Sequence, residues 1–197
     1  MTVRHLIFLA PIAALAACAD NEPVDPNADT NVDLPAIATA DNAANAAAAQ
    51  PTSMSADFNG GDGTRLGNVT AADSPSGLML TLAGTGMPAG IHGIHLHTVG
   101  KCDGPKFESA GAHFNPTNKK HGSENPDGPH AGDLPNVTVA ADGGLTQVLT
   151  VAGLDLAQLR DGDGTALVIH AEADDNKTDP SGDSGDRIAC AVIAPAG

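Results

Sequence analysis

From about residue 52 onward, clusters of Gly, Asp, Asn and Pro cut the chain into short apolar segments, and this spacing dictates an all-β fold. Ser53 to Asn59 and Arg65 to Ala71 flank Gly60-Gly61-Asp62-Gly63, which reads as a hairpin turn. Gly77 to Ala83 alternates around Leu78, Leu80 and Leu82. His92 to Thr98, Asn136 to Ala140, Leu145 to Val151, Ala166 to Ala171 and Arg187 to Ile193 complete eight strand candidates, with Asp142-Gly143-Gly144 as a second tight turn. Leu154 to Leu159 amounts to one helical turn, too little to change the class. Eight short strands with glycine-rich turns predict an antiparallel sandwich or barrel. With no Trp or Tyr and 4 Phe in the chain, its core must rest on Val, Leu and Ile.

Two stretches resist a strand reading. Lys101 to Asp133 carries Gly, Pro, Asn and Lys throughout, and Asp174 to Asp186 is similar and acidic. Loops of this length in a compact domain are usually functional or disordered. Ahead of the domain, residues 1–17 read as a secretory signal: Arg4 and His5, then an apolar run too short to cross a bilayer. The run ends Leu15-Ala16-Ala17-Cys18, which resembles the lipobox of bacterial lipoproteins and implies lipidation at Cys18. Several acyl chains on one residue would give a stable membrane anchor. Residues 18–51 are dominated by Ala, Asn, Asp and Pro, cannot offset the entropy of ordering, and read as a tether. The expected organisation is therefore signal 1–17, tether 18–51 and one domain over 52–197.

The formal charge of -15 disfavours nucleic acid and anionic lipid surfaces as partners. Cys102 and Cys190 lack the spacing of a thiolate metal site and, in an exported chain, are expected to pair as a disulfide worth ~4 kcal/mol in the loop-entropy model. The missing Trp and Tyr remove common interface anchors, which excludes neither a monomer nor a homodimer.

Chemistry concentrates in seven histidines, His92, His95, His97, His113, His121, His130 and His170, together with Asp133. Neutral imidazole is the commonest metal ligand near pH 7. His95 and His97 lie two apart on a strand candidate, so alternation puts both rings on one face. His113, His121, His130 and Asp133 match the donor set of a tetrahedral zinc site. Taken singly, His-x-His is a weak signal and His170 fits a structural histidine equally well.

Read together, the motifs are specific. Gly90-Ile91-His92-Gly93-Ile94-His95-Leu96-His97, Ala110-Gly111-Ala112-His113-Phe114-Asn115-Pro116, Lys120-His121-Gly122, Gly128-Pro129-His130-Ala131-Gly132-Asp133-Leu134, Val168-Ile169-His170 and Arg187-Ile188-Ala189-Cys190 resemble, in order, the copper/zinc superoxide dismutases. The resemblance implies an eight-stranded antiparallel Greek-key β-barrel or sandwich with two long functional loops. It implies copper on His95, His97, His113 and His170, and zinc on His113, His121, His130 and Asp133, with His113 shared. Asp174 would tie His95 to His121, His92 would serve structure, Cys102 and Cys190 would pair, and Arg187 would stand beside the copper. The implied reaction converts superoxide to oxygen and hydrogen peroxide as copper cycles between Cu(II) and Cu(I). His113 would bind both metals as imidazolate and take up a proton when copper is reduced.

The substrate is an anion and the chain is acidic, so local charge must outweigh net charge. Lys101, Lys106, Lys119 and Lys120 lie in the first loop and are candidates for steering, whereas the late loop carries only Lys177. A rival reading from another class is a copper-buffering lipoprotein of the same fold, which would have no use for Arg187; a third is an adhesive sandwich module with incidental histidines. The expected location is the periplasm, at the outer membrane, because Ala19 rather than Asp follows Cys18.

Overall fold

A computed structural model describes residues 52–197; the signal, Cys18 and the tether 18–51 lie outside the described residues. Nine strands run β1 (Ser53–Gly60), β2 (Arg65–Ser74), β3 (Gly77–Gly84), β4 (Gly90–His92), β5 (Ile94–His97), β6 (Val137–Val139), β7 (Leu145–Val151), β8 (Thr165–His170) and β9 (Arg187–Ala194). Seven form a curled sheet in the order β5-β8-β9-β1-β2-β3-β7, and β4 pairs with β6 apart from it. Every pairing is antiparallel. The non-sequential neighbours are the crossovers of the Greek-key barrel fold.

Nine strands stand where eight are expected, because the segment from His92 to Thr98 divides at Gly93. Before it, β4 pairs with β6; after it, β5 pairs with β8. Gly93 makes this corner by approaching other elements closely: a Cβ there would lie 2.9 Å from Cβ of Ser184 and 3.2 Å from Cβ of Asp174. Its amide donates to Glu172 O at 2.8 Å, and its carbonyl accepts from His170 N at 2.8 Å. The expected helical turn is a single 3-10 turn at Gln158–Arg160, and another falls inside the first loop at Glu108–Ala110.

The core is mainly aliphatic, with the rings of Phe58 and Phe114 buried in it. Ile94 and Leu96 of β5 and Leu167 and Ile169 of β8 point into it. Alternation sends Ala166 and Val168 to the opposite face, where they pack with Phe107, Ala110 and Cys190 beneath the first loop. Both faces of β5 and β8 are therefore covered, which is why all their residues are buried. A disulfide between Cys102 and Cys190, 88 positions apart, fastens that loop to β9.

Candidate metal centre

His95 and His97 lie on the outer, loop-covered face of β5. They stand across from Val168 and Ala166 of β8, in the row that continues to His170. The first loop then covers the open edge of β5 with its own backbone. Leu96 N donates to Gly132 O at 2.9 Å, Phe114 N to Leu96 O at 2.8 Å, and Thr98 N to Ala112 O at 2.9 Å. These bonds bring His113 opposite His97 and Asp133 opposite His95. Covering an edge strand is a common protection against aggregation, and here it also sets the register of two candidate ligands.

Two groups of donors result. The nitrogens of His95, His97, His113 and His170 lie within 4.8 Å of one another, as do the donor atoms of His113, His121, His130 and Asp133. His113 belongs to both. In the first group each strand histidine has one nitrogen already occupied. His97 Nδ1 donates to Gly111 O at 2.9 Å, His170 Nδ1 to Gly185 O at 3.2 Å, and His95 Nε2 to Asp174 Oδ2 at 2.6 Å. The opposite nitrogens, His95 Nδ1, His97 Nε2 and His170 Nε2, are buried without a partner. Buried polar atoms are nearly always satisfied, so three converging orphans fit a bound cation as their partner. Burial lowers His97 to about 2, His170 to about 3 and His113 to about 4, the last against the pull of Asp133. These rings are therefore neutral at pH 7, with lone pairs free for a metal.

The second group is organised by a carboxylate. Nδ1 of His113, His121 and His130 all approach Asp133 Oδ1, at 2.9, 3.0 and 3.1 Å. Asp133 Oδ2 accepts the backbone N–H of Gly122 at 2.8 Å and of His130 at 3.0 Å, which aims Oδ1 inward. Burial opposes the charge on Asp133, but its histidine partners hold the carboxyl well below its usual range. His121 Nε2 meets Asp174 Oδ1 at 3.0 Å. Burial would lower His121, but the carboxylates of Asp133 and Asp174 push it up to about 9. Three nitrogens and one carboxylate oxygen are the donor set that fits zinc.

Asp174 joins the groups, bonding both His95 and His121. His92 belongs to neither: its ring lies between His170 O at 2.8 Å and Pro88 O at 2.9 Å. Arg187, at the start of β9 and paired with His170, donates Nη1 to Phe107 O and Nη2 to Gly111 O, both at 2.7 Å. It shares a cavity of about 490 Å³ with His113 and His170. Lys106 lines a neighbouring cavity with Arg187, but Glu108 and Asp186 line it too.

Three contributors were not legible in the sequence. Asn136 clamps Asp174 by both backbone groups, at 2.8 Å each. Phe107 adopts a left-handed φ of 55° that turns its carbonyl toward Arg187 while its ring stays buried. Asp179 accepts the backbone N–H of His121 at 2.9 Å. Their partners are remote in sequence, and no local pattern marks them.

The copper/zinc superoxide dismutase (SODC) family model matches residues 65–193. The chain is 41% identical over 152 residues to superoxide dismutase [Cu-Zn] 1 of Aquifex aeolicus, covering 74% of this chain and 89% of that protein. It is 42% identical over 140 residues to the superoxide dismutase [Cu-Zn] of Caulobacter vibrioides, covering 68% and 80%. Among solved structures, a SOD-like protein from Bacillus subtilis superposes with a TM-score of 0.69 at 38% identity, over 71% of this chain and 97% of that one. The chain belongs to the copper/zinc superoxide dismutase family.

Proposed function

We propose that His95, His97, His113 and His170 hold copper, that His113, His121, His130 and Asp133 hold zinc, and that His113 is common to both. The reaction is the family's, conversion of superoxide to oxygen and hydrogen peroxide. The observation that carries the assignment is the convergence of three unpartnered buried nitrogens on the ring of His113. Copper supplies a one-electron redox couple there, and zinc a fixed positive charge without redox chemistry.

The chain's own groups do the rest. Asp133 holds His113 by Nδ1, so Nε2 is the nitrogen left to serve the copper group and the atom that could hold a proton. Asp174 fixes the ring planes of His95 and His121 together. Arg187 binds the anion: two carbonyls fix its guanidinium, and the cavity it shares with His113 and His170 gives a small anion room beside the copper ligands.

The deciding measurement is superoxide decay with copper- and zinc-loaded protein. His113→Ala should retain copper and lose at least tenfold in rate; an unchanged rate would remove His113 from its role. Spectroscopy of loaded protein should show two ions sharing a nitrogen donor, and magnetically independent ions would refute the bridge.

The amino-terminal sequence supports export, cleavage before Cys18, lipidation there, and a periplasmic domain over 52–197 held at the outer membrane by the tether 18–51. Palmitate labelling of whole cells tests this, with Cys18→Ser expected to abolish incorporation and release the protein from membranes.

A further inference from the structure

His121 is the seam between the two long loops. Its ring is held at Nδ1 by Asp133 from its own loop and at Nε2 by Asp174 from the late loop. Its backbone N–H is buried with the rest of the residue and has one acceptor, Asp179 Oδ1, at 2.9 Å. The other oxygen, Oδ2, pairs with Lys120 Nζ at 3.0 Å. The late loop is folded so as to return this carboxylate. Asp175 accepts the backbone N–H groups of Lys177 and Thr178 and the Thr178 hydroxyl, and its own N–H donates to Gly182 O at 2.9 Å. Asp174 and Asp179 thus grip opposite ends of one residue, ring and backbone.

We propose that Asp179 is a positioning residue for zinc. By accepting the His121 N–H it locks the late loop onto the first loop and tightens zinc binding. The inference rests on the assignment of His121 to zinc.

The two contacts of Asp179 differ in weight. The Lys120 pair has side chains 58% and 38% exposed, and exposed pairs contribute little. The bond to His121 satisfies a buried donor whose loss carries the full desolvation penalty. The hydrogen bond is therefore the operative contact. Outer partners of metal ligands typically change affinity about 10–100-fold.

The test is zinc dissociation from copper- and zinc-loaded protein, measured by chelator competition with copper retention followed in the same sample. Asp179→Ala should raise the zinc dissociation constant about tenfold or more with copper held as in the parent protein. Asp179→Asn keeps an acceptor at Oδ1 and should stay within about threefold, as should Lys120→Met. Zinc retention in Asp179→Ala within about twofold of the parent, or Asp179→Asn losing as much as Asp179→Ala, would overturn the proposal. Equal loss of copper would overturn it too, since that marks general damage. If Asp179→Ala does not fold, amide exchange in the unaltered protein decides. Chelating zinc should release the His121 and Asp175 amides together, and independent release would overturn the link. A parent protein that binds copper but no zinc would refute the zinc assignment itself; zinc binding in the parent with no effect in Asp179→Ala would refute this inference alone.

Discussion

His95, His97 and His170 stand on strands paired through a backbone ladder, whereas His121, His130 and Asp133 stand on a loop that follows no regular element. The strand histidines turn their unpartnered nitrogens toward one another and His113, and the loop histidines turn theirs toward a carboxylate. A sheet fixes side-chain direction through its own backbone ladder, so His95, His97 and His170 are aligned by strand pairing. The loop has no such ladder, and Asp133 Oδ1 gathers its three histidine rings instead. The expectation is one half preformed by packing and another preformed by charge.

Acid is the strongest way to separate the halves. Burial lowers His97, His170 and His113 from 6.5, so their contribution to stability is present above pH 6.5 and is lost as pH falls toward their folded values of about 2 to 4. His121 is raised to about 9, so its contribution is present below pH 6.5 and is lost as pH rises through 9. The thermal midpoint of metal-free protein should therefore peak near pH 6.5. Its acid limb should be the steeper, with a loss of roughly 1 kcal/mol per pH unit for each of the three rings. A flat profile between pH 6.5 and 4.5 would contradict the buried neutral rings.

Removing the disulfide should rank next. Cys190→Ser frees the loop that carries Phe107 and Gly111, the carbonyls that hold Arg187, and should cost about 2–5 kcal/mol in thermal or denaturant unfolding. Exchange protection of β5 and β8 should persist while that of residues 101–114 falls. Asp133→Ala should lower zinc affinity by about 100-fold or more, with copper binding at His95, His97 and His170 far less affected; titration with each metal checks this, and equal losses would erase the distinction drawn above. The smallest effect is electrostatic. Lys106→Glu should slow superoxide decay a few-fold at low salt and flatten its dependence on ionic strength, because Glu108 and Asp186 already offset much of the local positive charge.

Legibility in the sequence follows the same division. Alternation alone puts His95 and His97 on one face, and turn chemistry marks the hairpin at Gly60–Gly63 and the tight turn at Asp142–Gly144, because these are local properties of the backbone. The break at Gly93 was hidden, since a glycine inside a strand pattern does not reveal which elements press against it. The loop half is readable as a zinc donor set, but nothing in His121 or Asp133 taken alone predicts that three rings will share one oxygen. Asp179 acts across 58 positions and Asn136 across 38, so neither leaves a spacing that a reader of the chain could use.

The antiparallel pairing of β5 with β8 also constrains when the centre can come into being. A nascent chain emerges amino end first, so His95 and His97 leave the ribosome long before the segment that aligns them with His170. The cysteine partner in β9 follows later still. Premature capture of metal by the early imidazoles would find neither the third strand ligand nor the covalent staple. Ordered loading is thus a task for the finished polypeptide, and translation alone delivers only scattered donors.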